Sequence, residues 1–337
     1  MKNQIFSHRD VIVRVSPSGS YPRMIQLRDG SLLCAWDGMR TAKSSDCGIT
    51  WSSPVKASHS RFDHLANANA ALIQLENGDI LLGHRAIGRT EAGLYTSLQV
   101  SISRDGGESW DFHSTIDEHT GDGGVWEPHF GFIDGVLTVF FADDCADRRG
   151  FTGFQNIEFL QYTNGTWGNR TVVSDGNLHR SRDGMPTWTR LSDGSYFLVI
   201  EAWDTDGDGR MMIKGLTSPD GVHWSEPFPL YRSSGEGSKA AAPFVSELPD
   251  GRLFISFQTD EDSTKKGDGF SGMKTIVYDR VTGEITPPEI PFETPDGCHS
   301  IWNGLGTAVS PDGTRYDFAL TGANAAEHGV YLRRAAW

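Results

Sequence analysis

The sequence predicts an all-β chain folded as a six-bladed β-propeller with four antiparallel strands per blade, and three observations carry that expectation. One hairpin signature recurs six times along the chain. Successive copies are 48, 57, 59, 57 and 62 residues apart, which is the spacing of four-stranded blades. The composition, with 39 Gly and 10 Trp among 337 residues and 22% charged residues, suits short strands and tight turns better than helices.

Each hairpin is an apolar segment, an Asp-Gly or Asn-Gly dipeptide, and a second apolar segment. The turns fall at Asp29-Gly30, Asn77-Gly78, Asp134-Gly135, Asp193-Gly194, Asp250-Gly251 and Asp312-Gly313. Such dipeptides adopt positive φ readily, so a type I′ turn is expected at each. The segment DVIVRVS (10–16) precedes the first hairpin and GVYLRRA (329–335) ends the last blade. Pairing these two ends would complete the last sheet and close the ring without a large exposed edge. Residues 1–337 are thus expected to form one propeller domain.

A second motif, Ser-x-Asp-x-Gly-x-x-Trp, follows several hairpins. It is intact at Ser44–Trp51 and Ser103–Trp110, one residue shorter at Ser218–Trp224, and degenerate at Tyr162–Trp167. The Asp carboxylate can accept bonds from nearby backbone N–H groups, the Gly permits a left-handed turn, and the Trp can fill the gap between adjacent sheets. That makes it a fold staple, not a catalyst. The motif resembles the Asp-box of sialidase-like propellers, and together with the six hairpins the resemblance covers nearly the whole chain.

The formal net charge of −14 argues against DNA, RNA or an acidic membrane surface as partner, because those need clustered Lys and Arg. No apolar run approaches the roughly 20 residues of a membrane-spanning helix, and the first ten residues lack the apolar core of a secretory leader. Cys34, Cys47, Cys145 and Cys298 lie far apart without metal-ligand or disulfide-scaffold spacing and are expected to be free thiols. This suits a cytoplasmic protein and equally a secreted one whose leader has been trimmed, so compartment stays open. No cofactor or metal is expected, and a monomer acting on an oligo- or polysaccharide is. Asp204-Thr205-Asp206-Gly207-Asp208-Gly209 opens like a Ca²⁺ loop, yet Gly215 stands where the bidentate Glu would be needed, which favours a plain acidic loop.

The repeat also supplies a ruler. Residues six to eleven before each turn, and about seven after it, should meet at one rim of the axial funnel, with the Asp-boxes at the opposite face. Before the turns these slots hold Arg23, Asn67 and Asn69, Glu127, Arg182 and Asp183, and Trp302 and Asn303. After them come Asp37, Arg85, Glu201 and Gln258, with Asp143 one residue later in blade three. Glu127 and Glu201 come from adjacent blades. Two carboxyl groups about 5 Å apart are what a retaining glycosidase uses, one to protonate the leaving oxygen and one to attack the anomeric carbon. His64 and His129 flank the slots and could position a hydroxyl or orient a carboxylate. Trp126, Trp188, Trp203 and Trp302 could stack on the apolar faces of sugars or serve only as blade core.

The segments YPRMIQL (21–27), GVWEPHF (124–130), RDGMPTWTRLSDG (182–194) and VIEAW (199–203) resemble glycoside hydrolase family 93, the exo-α-1,5-L-arabinanases. The resemblance implies a retaining enzyme that releases arabinobiose from the non-reducing end of linear arabinan through two glutamates, here Glu127 and Glu201, with their individual roles open. A neutral polymer also suits an acidic protein.

Three other readings remain. A sialidase would need an arginine triad and a Tyr–Glu pair, but Tyr21-Pro22-Arg23-Met24 replaces the usual Arg-Ile-Pro-like opening, Tyr21 is the one tyrosine in a funnel slot, and Lys239–Pro243 offers blade five no arginine. A polysaccharide lyase would use His64 or His129 as base. A non-catalytic glycan-binding propeller would bind without either glutamate, since fold alone does not fix function.

Overall fold

The computed structural model describes residues 5–6, 11–58, 64–145, 148, 153–204, 209–323 and 328–336. Six antiparallel sheets surround one axis. Blade one contains β2 (Arg23–Gln26), β3 (Leu32–Trp36), β4 (Arg40–Ser44) and β5 (Val55–Lys56). Blade two contains β6 (Ala66–Gln74), β7 (Ile80–Thr90), β8 (Gly93–Ser103) and β9 (Asp111–Thr120). Blade three runs β10 (Val125–Ile133), β11 (Val136–Asp143), β12 (Asn156–Thr163) and β13 (Thr166–Ser174), and blade four β14 (Ser181–Arg190), β15 (Tyr196–Asp204), β16 (Met211–Ser218) and β17 (Phe228–Tyr231).

Blade five has three full strands, β18 (Ala240–Glu247), β19 (Leu253–Thr259) and β20 (Gly272–Tyr278); its outer strand is reduced to bridges from Ile285 and Glu289. The stretch Pro287-Pro288 explains the loss, because proline cannot donate to a ladder. Blade six joins β21 (Ser300–Val309), β22 (Arg315–Ala323) and β23 (Gly329–Ala336) to β1 (Val11–Ser16), so the two chain ends pair as the repeat requires. The innermost strands touch in a closed ring, β2 to β6, β10, β14, β18, β21 and back to β2.

The apolar core lies between the sheets. Blades three and four enclose Phe140, Phe159, Trp188, Tyr196 and Leu198, whereas blades six and one enclose Leu32, Trp36, Phe318 and Leu332. The Asp-boxes stitch these interfaces at the face where the hairpins turn. In the first, the Asp46 carboxylate accepts N–H bonds from Ile49 (3.1 Å) and Thr50 (2.9 Å), and Trp51 Nε1 donates to Gly48 O at 3.2 Å. Gly48, at φ +85°, is tightly packed: a Cβ there would meet the Phe318 ring of the preceding blade at 3.2 Å and push it by a few tenths of an ångström.

One expectation is corrected. Only blade three makes the type I′ turn, with Asp134 at φ 49° and Gly135 at 78° between the paired residues Ile133 and Val136. In the other five only the Gly has positive φ, as at Leu27–Ser31, where Gly30 N–H donates to Leu27 O and Leu27 N–H to Ser31 O. These are three-residue loops, a turn followed by a left-handed glycine. The Asp or Asn side chain selects them by accepting the N–H two residues on, as Asp29 does from Ser31 at 2.9 Å.

Candidate active site

The site is built by a repeated irregularity. The inner strands of blades two to six each slip register once, between Ala68 and Ala71, Trp126 and His129, Gly184 and Thr187, Ala241 and Phe244, and Ile301 and Gly304. A non-glycine residue with left-handed φ sits in each slip: Asn69 (61°), Glu127 (50°), Met185 (50°), Ala242 (50°) and Trp302 (53°). In blade one Tyr21 (57°) holds the matching position just before β2. Such a bulge breaks the in-out alternation and re-aims its side chain. Each left-handed residue costs about 1–2 kcal/mol, and strain of this kind collects at functional sites.

Tyr21, Met185, Ala242 and Trp302 pack against one another. They come from blades one, four, five and six, so they can meet only on the axis, where they form a floor. Glu127 and Glu201 stand at this floor and flank the same dipeptide. Glu127 Oε2 accepts a long 3.4 Å bond from Met185 N–H, while a Cβ on the neighbouring Gly184 would lie 3.1 Å from Glu201 Oε1. Glu201, on β15, is buried; its Oε2 accepts the Ala242 N–H at 2.9 Å and its Oε1 lies 3.5 Å from Arg182 Nη1.

The two carboxyls therefore differ in surroundings. Burial, and then the charge of Glu201, raise the Glu127 pKa to about 7 against the opposing pull of Arg182, Arg85 and the Met185 N–H. A carboxyl so placed carries a proton to transfer near neutral pH. Glu201 has a guanidinium and a backbone donor to orient it.

Other groups complete the wall. Asp37 accepts bonds from Ser20 Oγ (2.8 Å) and Asn69 N–H (2.9 Å); burial raises its pKa, opposed by those two bonds and by Arg85 and Arg23. The Arg85 guanidinium lies 5.0 Å from the Trp126 ring, whose Nε1 donates to Asp144 at 2.8 Å. Tyr21 is buried with its pKa pushed up to about 12, chiefly by burial, so its phenol keeps its proton.

The structure thus gathers Glu127, Glu201, Asp37, Asn69, Arg85, Trp126, Arg182 and Trp302. The remaining predicted residues lie elsewhere. Arg23 is beneath the floor, stacked 3.9 Å from the Tyr21 ring centroid with Nη1 bonded to Pro22 O and Asn303 O. His129 is beside it in the axial channel, its Nδ1 accepting from Trp188 N–H at 3.5 Å and its pKa lowered to about 3 by burial and Arg23. Trp188 is blade core.

Asp183 faces the blade interior, with both oxygens engaged at 2.6 Å by Ser174 and Ser181. Gln258 and Asn303 stand behind the wall. Gln258 accepts the Trp302 N–H at 2.8 Å, and Asn303 Oδ1 accepts from Ser256 Oγ at 2.6 Å. Asp143 is buried and ion-paired with Arg148 and Arg170. Asn67 Nδ2 donates to Leu65 O at 2.9 Å, tying its own strand, and His64 is exposed ahead of β6. Trp203 lies on the outer rim. Of the acidic loop, residues 205–208 fall outside the described residues, and Asp204 pairs with Lys214 at 2.6 Å.

Sequence reasoning missed Met185 and Ala242, and gave Tyr21 a slot but no role. The signal was available: Tyr21, Asn69, Met185 and Ala242 each stand nine residues before the Gly of their hairpin turn. Met185 and Ala242 carry no reactive group, and a ruler read for polar side chains passes over them.

The fold is that of the sialidase-like six-bladed propellers. No protein-family model matches the chain, and no curated protein matches it. Among solved structures it is similar to an α-L-arabinofuranosidase from Fusarium graminearum in complex with an iminosugar inhibitor, with 19% identity, a TM-score of 0.71 and 96% of each chain covered. It is similar also to an α-L-arabinanase from Penicillium chrysogenum complexed with arabinobiose, with 19% identity, a TM-score of 0.70, and 96% of this chain and 98% of that one covered. The NanB sialidase of Streptococcus pneumoniae aligns with a TM-score of 0.60 at 11% identity, over 98% of this chain and 70% of its own.

Proposed function

We propose that this protein is a retaining glycoside hydrolase that releases arabinobiose from the non-reducing end of linear α-1,5-arabinan, with Glu127 as acid/base and Glu201 as nucleophile. The observation that carries the reading is the paired environment: two carboxyls flank Gly184-Met185, one with its pKa raised to about 7 and the other held by a guanidinium and an N–H donor. In the first step a Glu201 oxygen attacks the anomeric carbon while Glu127 gives its proton to the departing glycosidic oxygen. Glu127, now a carboxylate, then takes a proton from water, whose oxygen attacks the same carbon and frees Glu201.

A neutral sugar fits better than a sialoside. With Arg23 stacked under the floor, Arg85 and Arg182 are the arginines of the predicted set that remain beside the glutamates. The test is incubation with linear α-1,5-arabino-oligosaccharides, with products resolved by length. Arabinobiose from the parent but not from Glu127→Gln or Glu201→Gln supports the reading; cleavage that survives both substitutions overturns it.

A further inference from the structure

Outside the axial pocket, a cleft of about 710 Å³ opens on the same face between blades four and five, bounded by Trp203, Gly209, Arg210, Met211, Ser234 and the segment 236–239. Its position follows from the sheet. Trp203 is two residues beyond Glu201 on β15 and pairs across the ladder with Arg182, while Glu201 pairs with Gly184. Residues two apart on a strand share a face. The cleft is therefore the outward continuation of the surface that carries Glu201 and Arg182.

Trp203 is 46% exposed, although large aromatics usually find cover, and no described residue accepts a hydrogen bond from its Nε1. The opposite wall is fixed in advance. Arg210 Nη1 donates to Ser233 O (3.2 Å) and Gly235 O (3.0 Å), Ser233 Oγ to Ser238 O (2.8 Å), and Ser238 N–H to Gly235 O (3.1 Å). Lys239 Nζ is ion-paired with Asp268 at 2.5 Å. A preformed cleft with an open aromatic face, an N–H donor and the exposed Ser234 hydroxyl suits a ring that is apolar on one side and hydroxylated at its edge.

We propose that this cleft is a second sugar-binding subsite, with Trp203 as its stacking platform, and that it makes the enzyme prefer chains long enough to reach from the axial pocket to the rim. The inference rests on the glycosidase reading of the pocket. Pockets of ~300–1,000 Å³ hold drug-sized ligands, so the cleft has room for more than one pentose unit.

Two measurements separate the cleft from the pocket. Affinity electrophoresis in gels containing linear arabinan, with parent and variant both carrying Glu201→Gln, reads binding without turnover, and hydrolysis of an aryl arabinoside by the active forms reads the pocket without the cleft. Trp203→Ala should abolish the retardation seen with the parent and raise KM about tenfold on long oligosaccharides. Aryl-arabinoside kcat/KM should stay within about twofold, and Trp203→Phe should restore most of the loss on long chains. Equal retardation of parent and Trp203→Ala, no retardation of either, or an equal loss on long and short substrates overturns the subsite. Failure of the parent to cleave the aryl arabinoside and every arabino-oligosaccharide overturns the glycosidase reading instead, and retardation lost only in Trp203→Ala would then still mark the cleft as the glycan site.

Discussion

The two faces of the propeller are built from the same six hairpins, yet they differ in kind. At the turn face the repeats agree: Asp46, Asp105 and Asp220 each accept N–H groups from their own turns, and Trp51, Trp110 and Trp224 each donate to the Gly three residues before. At the funnel face the backbone repeats while the side chains do not. One bulge slot holds Tyr, Asn, Glu, Met, Ala and Trp in turn. The regular face fixes where six positions converge, and the irregular face decides what chemistry occupies them.

The largest effects that would break this division are at the funnel. Glu201→Gln should eliminate turnover, and Glu127→Gln should lower kcat on arabino-oligosaccharides by about 10²–10⁴-fold, with a smaller loss on substrates whose leaving group needs no proton. Thermal melting at pH 5 should hardly change for either variant. Steady-state rates beside calorimetry check both statements.

The pH dependence sharpens the comparison. In the proposed roles the acid form of Glu127 is the active one, and its pKa is raised to about 7, so kcat/KM should fall as pH rises through about 7 and the alkaline limb should vanish in Glu127→Gln. Stability has the same sign. The folded state binds this proton more tightly than the unfolded chain, so the group costs stability progressively as pH rises from about 4.5, the unfolded value, through about 7. Glu127→Gln should therefore melt above the parent at pH 8, and parallel melting curves from pH 4 to 8 would contradict the raised pKa.

Smaller effects belong to positions away from the funnel wall. Gly48→Ala forces a left-handed alanine and a 3.2 Å approach to Phe318, and should destabilise by about 1–2 kcal/mol with kcat unchanged. Denaturant unfolding beside initial rates would show it. Asp183→Asn should likewise leave kcat intact while lowering the melting temperature, because Ser174 and Ser181 occupy both oxygens of Asp183 away from the funnel.

How much was legible follows the same line. The six hairpins and the Asp-box staples are local patterns with local causes, and the sequence carries them openly; ring closure by β1 and β23 joins the two ends of the chain and was legible only because the repeat leaves each end one unpaired strand. The ruler also brought Glu127, Glu201, Arg182, Arg85 and Asp37 to one place. It failed where a single residue of register matters: Asp183 is one position from Arg182 and faces the other way, and Arg23 is two positions past Tyr21 and lies one layer below. A bulge reverses the alternation from which facing is inferred, and nothing in Glu127 or Met185 as residue types announces a left-handed φ. The turn type was misjudged for a related reason, since Asp-Gly suits both a two-residue and a three-residue loop, and the strand register chooses between them.

The most direct test of the paired roles is mass spectrometry of Glu127→Gln incubated with an arabinoside bearing a good leaving group. The protein should gain the mass of one glycosyl unit, and peptide mapping should locate it on Glu201. A label on another residue, or no label together with inverted configuration of the released sugar, would contradict the assignment of Glu201 as nucleophile and Glu127 as acid/base.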